Sequence, residues 1–194
     1  EVAARNKNTG AGRWAGARQV GSALDRRFDL HEPEGGGRDI IVMHVNTNAT
    51  SQIQVYAENT TDNTFAVLGY WTEGTYVERF DSFTAGANAS WQTRNLNTYG
   101  VGANQLVEIV ASNINTGAEY QGGVRTFGSA LNRYADIHEA EPDGVDTATF
   151  LAQADGTANA RVQLYAESNA NITFNLLGYW TTNPGRYTEL MQVF

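Results

Sequence analysis

Along most of this chain apolar and polar residues alternate with a period of two. That is the period of a strand with one buried face, not of a helix. In SQIQVYAEN (51–59) Ile53, Val55 and Ala57 fall on one side and Gln52, Gln54, Tyr56 and Glu58 on the other. ARVQLYAES (160–168) distributes Val162, Leu164 and Ala166 in the same way. NTFAVLGYW (63–71) groups Phe65, Val67, Gly69 and Trp71, and ITFNLLGYW (172–180) groups Phe174, Leu176, Gly178 and Trp180. DRRFDLHE (25–32) turns Phe28 and Leu30 inward and Arg27, Asp29 and His31 outward; Arg26 shares the parity of Phe28, which predicts an inward or sheet-edge position. β-branched and aromatic residues suit such strands, and Gly, Asn and Asp interrupt them at the spacing of short antiparallel strands. No stretch offers three turns of amphipathic helix. The pattern predicts an all-β fold of the sandwich or jelly-roll kind.

The alternating segments come in pairs. EVAARNKNTGA (1–11) lies on EIVASNINTGA (108–118), His31-Glu32 on His138-Glu139, and Tyr56-Ala57-Glu58 on Tyr165-Ala166-Glu167. LGYWTEGTYVERF (68–80) lies on LGYWTTNPGRYTEL (177–190), and the register runs on to Phe83 over Phe194. The offset is 107 at His31/His138, 109 at Tyr56/Tyr165 and 111 at Tyr76/Tyr187. The two increments fall near Ala158-Asn159 and Pro184-Gly185, in turn-rich stretches where loops tolerate length change. Such self-similarity implies two tandem β-sandwich (jelly-roll-like) domains related by internal duplication. The first is expected over 1–83 and the second over 84–194. Segment 84–107 occurs once; with Trp91, Leu106 and Val107 it reads as the opening strand or strands of the second domain. The first domain then lacks a counterpart. Either the chain is a piece of a longer array, or something outside its own sequence completes the first domain, as in strand addition to an open sheet edge. Trp71 and Trp180 are expected as core wedges, with a surface platform as the alternative.

Composition narrows the function classes. Thirteen basic and 21 acidic residues leave a net charge of −8, which disfavours a grip on nucleic acid or anionic lipid. The absence of cysteine excludes disulfides, thiolate catalysis and cysteine-ligated zinc. No apolar run approaches the length of a membrane helix, so no membrane insertion is expected, and no signal peptide is visible; any such leader would have preceded Glu1.

Candidate chemistry sits at the paired positions. The outward row Gln54, Tyr56, Glu58 and its match Gln163, Tyr165, Glu167 offer amide, ring and carboxylate on one strand face. That combination suits a protein interface or the stacking and hydrogen bonding of a sugar, and equally cross-strand pairing within the sheet. The loops HEPEGGGRD and HEAEPDGVD align Glu32, Glu34 and Asp39 with Glu139, Glu141 and Asp146; Asp143 adds a further carboxylate. Oxygen-rich loops of this kind bend around Ca²⁺, while solvated carboxylates on a turn are the plainer reading. No other cofactor is indicated. His31 and His138 are paired, but one histidine per unit does not make a zinc or iron centre. Ser22, Asp29 and His31 recur as Ser129, Asp136 and His138, yet no G-x-S-x-G elbow is present and the serines read as turn residues. Arg18 and Arg26 recur as Arg125 and Arg133 and read as structural, with Glu58 a partner for either. Four sequons begin at Asn48, Asn59, Asn88 and Asn171 and agree with an exported glycoprotein surface.

The phrases GSALDRRFDLHEPEGGG, VYAENTTDNTFAVLGYW and VEIVASNINTGAEYQGGVR resemble tandem β-sandwich repeats of large secreted or surface bacterial proteins. The resemblance covers nearly the whole chain. It implies extracellular or cell-surface placement and array-like use, and supplies no catalytic residues. The expectation is a non-enzymatic structural repeat protein, a subunit or fragment of a surface fibre, sheath or adhesive stalk that associates with copies of itself. The alternatives are a carbohydrate-binding module recognising polysaccharide, Ca-dependent or not, and a virion-associated spike protein.

Overall fold

A computed structural model describes residues 1–8, 11–31, 39–115, 117–139 and 145–182. The fold is all-β, with four antiparallel sheets of three or four strands. In chain order the strands are β1 (Val2–Asn6), β2 (Arg13–Gln19), β3 (Arg27–Leu30), β4 (Asp39–Met43), β5 (Ile53–Ala57), β6 (Asn63–Val67) and β7 (Thr75–Phe83). They continue as β8 (Trp91–Asn95), β9 (Leu106–Asn113), β10 (Ala118–Thr126), β11 (Tyr134–Glu139), β12 (Asp146–Gln153), β13 (Arg161–Ala166) and β14 (Ile172–Thr182). A 3₁₀ turn, Asn97–Tyr99, follows β8.

Two sheets are formed by the N-terminal half, with orders β4-β1-β6 and β3-β2-β5. The other two have orders β12-β9-β14-β7 and β11-β10-β13-β8. Strands at matched sequence positions occupy matched places, and the difference lies at one edge of each sheet. β7 lies along β14, with Phe174 opposite Phe83 and Trp180 opposite Tyr76. β8 lies along β13, with Tyr165 opposite Trp91. Residues 75–83, read from the sequence with the first copy, therefore hydrogen-bond to a strand of the C-terminal half. β5 and β6 have no corresponding neighbour strand among the described residues.

Each pair of sheets shares an apolar cluster. The C-terminal cluster includes Val107, Ile109, Val124, Ile137, Leu164, Phe174 and Leu176. The N-terminal cluster includes Val2, Ala4, Phe28, Leu30, Ile41 and Met43, joined by Val110 and Leu177 from β9 and β14. β9 is consequently buried at all eight positions, because both of its faces are covered. Gly16 allows the close approach of β2 to the start of β3: a Cβ there would lie 1.9 Å from the carbonyl oxygen of Arg26. Matched Gly123 stands in the same relation to Arg133, at 2.3 Å. Asn6 and Asn113, also matched, are fully buried. The Asn6 amide donates to the carbonyls of Ala11 and Leu30, and that of Asn113 to Ala118 and Ile137, tying each turn to the neighbouring sheet.

Candidate interaction edges and a buried polar junction

Matched side chains of the two halves have opposite environments at the unpartnered edges. Val67 is 72% exposed and its match Leu176 is 0% exposed; Tyr70 is 84% and Tyr179 8%; Trp71 is 53% and Trp180 1%. The phrase LGYW is strand at 177–180, where β7 supplies hydrogen-bond partners and cover, and is not strand at 68–71. The expected core role thus holds for Trp180, while Trp71 stands half out of the protein. The same contrast runs along β5. Val55, expected inward, is half exposed, while matched Leu164 is completely buried beside β8. Strand parity holds for Val55 and Leu164; in β14 a bulge between Leu176 and Gly178 breaks it, so that Phe174 and Leu176 join the C-terminal cluster with Tyr179 while Trp180 packs with Tyr76 and Leu106 instead.

The outward row divides by residue. Glu58 Oε2 accepts from the Trp14 backbone N–H at 2.8 Å, and Glu167 Oε2 from that of Gln121 at 3.0 Å, so both carboxylates cap the adjoining strand rather than face a ligand. Gln54 Oε1 accepts from Arg18 Nε at 3.1 Å, and Gln163 Oε1 from Arg125 Nε at 3.0 Å. Arg18 also donates to the Leu24 carbonyl, and Arg125 to that of Leu131. Neither Arg18 nor Arg26 makes the ion pair with Glu58 considered from the sequence. Tyr165 is flanked by Tyr134 (5.0 Å between ring centroids) and Trp91 (5.6 Å), and the Arg125 guanidinium lies 4.0 Å from the Trp91 ring centre. Tyr56 carries the Arg27 guanidinium at 4.5 Å and is otherwise open. Beside it lies a notch of about 490 Å³, lined by Gly16, Arg18, Leu24, Gln54, Val55 and Tyr56 among others.

A second constellation, unforeseen in the sequence, sits where the halves meet. Glu108 is fully buried. It accepts from the His44 backbone N–H (3.1 and 3.2 Å) and from the Tyr76 hydroxyl (2.5 Å), and its Oε1 lies 2.9 Å from His44 Nδ1. Arg26, buried as its parity with Phe28 requires, donates to the Tyr76 oxygen at 3.4 Å and lies 3.6 Å from Glu78. Glu78 in turn accepts from the backbone of Gln19 and Asn46. Burial pushes the Tyr76 phenol well above its usual range, and the Glu108 charge acts in the same direction. Sequence comparison pointed away from this group, because His44 faces Leu151 at the matched position. The available signal was the reverse one: a polar residue present in only one half is suited to a contact that only one half makes.

Of the acidic loop residues, Glu32, Glu34, Glu141 and Asp143 lie outside the described residues; Glu139 ends β11, and its side chain is outside them too. Asp39 and Asp146 meet across the halves. Asp39 is 8% exposed and hydrogen-bonds Asp146. Burial pushes Asp39 up to about 8 and the Asp146 charge adds to this, against the opposing pull of the His31 and Ile40 backbone N–H groups. Asp39, read from the sequence as either solvated or Ca²⁺-facing, is enclosed rather than solvated. Among the described residues no group of three or more His, Asp or Glu side chains converges. Nearby, the Thr149 hydroxyl donates to the Val42 carbonyl at 3.0 Å. The adjoining cavity is lined by four matched pairs, each 107 positions apart: Glu1 and Glu108, Ile40 and Thr147, Val42 and Thr149, His44 and Leu151.

The remaining candidates have local roles. Ser22 Oγ and Ser129 Oγ accept from the backbone N–H groups of Leu24 and Leu131, the turn function read from the sequence. His31 donates its backbone N–H to Asp39, and His138 is exposed on β11. Three of the four sequon asparagines bond within their own turns, and Asn88 ties its loop to a distant one. Asn48 and Asn59 accept from Thr50 and Thr61, Asn88 accepts from Asn169, and Asn171 donates to Ser168. Comparison with protein-family models, curated proteins and solved structures gives no match for the chain.

Proposed function

We propose that the chain is a non-enzymatic structural repeat protein of the extracellular or cell-surface kind, made of two tandem β-sandwich domains related by internal duplication. Its work is assembly with neighbouring copies through open sheet edges, as a subunit or fragment of a fibre, sheath or adhesive stalk. One observation carries this reading: apolar side chains exposed at β6 and β5 have matches that are buried by β7 and β8. An uncovered apolar edge is a template for another strand. Residues 186–194 repeat the sequence of β7, with Tyr187, Glu189 and Phe194 on Tyr76, Glu78 and Phe83. The two-unit reading is supported by matched strand places, by matched buried asparagines and by the cavity whose lining residues meet their own matches. Against a catalytic role, the His44–Glu108–Tyr76 group spends its hydrogen bonds on joining the halves.

Sedimentation equilibrium across a hundredfold concentration range, with electron microscopy, tests the proposal. Association is expected, and it is expected to be lost on deletion of 186–194 or on Val67→Lys, which puts a charge on the β6 edge. A monomer at every concentration, or assembly indifferent to both changes, overturns it.

A further inference from the structure

We propose that the notch on β5 formed by Arg18, Gln54 and Tyr56 is a docking slot for the indole of a strand with the β8 sequence, presented by another copy of this repeat. The inference rests on the assembly reading and names the partner and the residue that selects it.

The C-terminal half displays the occupied form of the slot. There β8 pairs antiparallel with β13 in a register that sets Trp91 opposite Tyr165 and Thr93 opposite Gln163. The indole is held between the Tyr165 ring and the Arg125 guanidinium. The N-terminal half has the matched holders Arg18, Gln54 and Tyr56, with no indole between them among the described residues. Arg18 makes two hydrogen bonds that Arg125 also makes, to matched partners and at lengths within about 0.1 Å. Tyr56 carries Arg27 on its ring, as Tyr165 has matched Tyr134 stacked on it, and both Tyr56 and Arg27 line the notch. The guanidinium is therefore already oriented, and an entering ring gains stacking and cation–π contact without reorganising the site.

The backbone of β5 offers the matching ladder. β13 is hydrogen-bonded on both sides, to β10 and β8, whereas among the described residues β5 is bonded to β2 alone. An incoming strand in the same register sets its indole opposite Tyr56, its next residue opposite half-exposed Val55 and the third opposite Gln54. Main-chain pairing supplies affinity that any strand could use, and the slot supplies selection for the aromatic residue at one position. The acidic partner Asp25 of Arg27 stands at the rim, so a neutral ring flanked by polar residues, as in SWQTR (90–94), fits better than an acidic segment.

The test uses the intact protein and a synthetic peptide of residues 87–97, ANASWQTRNLN. A second preparation carrying Val67→Lys keeps association through β6 from obscuring the result. Residue-resolved amide exchange is expected to show protection at 52–57 on peptide addition. Replacing the peptide tryptophan by alanine is expected to weaken binding about tenfold or more, the scale of a stacked ring with a cation on its face. Arg18→Lys in the protein, which keeps the charge and loses the planar fork, is expected to weaken the tryptophan peptide but not the alanine one. Absence of binding, protection confined to 161–166, or equal affinity for both peptides overturns the slot. The two proposals fail separately. Assembly without peptide capture removes the slot and leaves assembly; peptide capture by a strictly monomeric protein does the reverse.

Discussion

Asp39 makes stability depend on pH in a direction opposite to that of most carboxylates. In the unfolded chain its carboxyl titrates in the ordinary range near 3.8; in the folded protein, buried against Asp146, it titrates near 8. The folded state thus holds a proton that the unfolded state has released throughout the interval between. Its contribution is undiminished below about pH 4, falls as pH rises through the interval, and levels off above about pH 8. Each pH unit inside the interval costs about 1.4 kcal/mol, so moving from pH 5 to pH 7 removes about 2–3 kcal/mol. For a chain of this size that is a fall in melting temperature of roughly 5–10 °C. Thermal unfolding followed by circular dichroism at pH 5, 6 and 7 measures it. Asp39→Asn, which retains an amide donor for Asp146 and cannot titrate, is expected to remove most of the slope and to exceed the wild type at pH 7. A wild-type melting temperature that is flat or rising from pH 5 to 7, or an unchanged slope in Asp39→Asn, refutes the reasoning.

Three further predictions follow from the same contacts. Glu108→Ala strands the Tyr76 hydroxyl and the His44 backbone N–H inside the junction and is expected to destabilise by about 3–5 kcal/mol in urea unfolding, with Glu108→Gln losing less. Trp180→Ala is expected to cost about 3–5 kcal/mol and Trp71→Ala less than about 1, although the two residues stand in the same four-residue phrase; equal losses would contradict the environments described above. Gly16→Ala is expected to destabilise by more than about 2 kcal/mol in chemical denaturation, because its Cβ meets backbone at 1.9 Å and neither strand can yield without losing register.

The strand content and much of the inward and outward alternation could be read from the residues. They are local properties: a period of two sets side-chain direction, and turn residues mark the ends. Buried Arg26 was accessible in the same way, from its parity with Phe28. What separates Trp71 from Trp180 is not local. The segments around them are nearly identical, and the difference is a strand at 75–83 that crosses to cover β14, while among the described residues β6 has β1 as its one neighbour. The meeting of His44 with Glu108 and of Asp39 with Asp146 is likewise a product of packing between residues more than 60 positions apart. A repeating pattern determines which face wants to be buried; only the chain's path through space decides whether anything arrives to bury it.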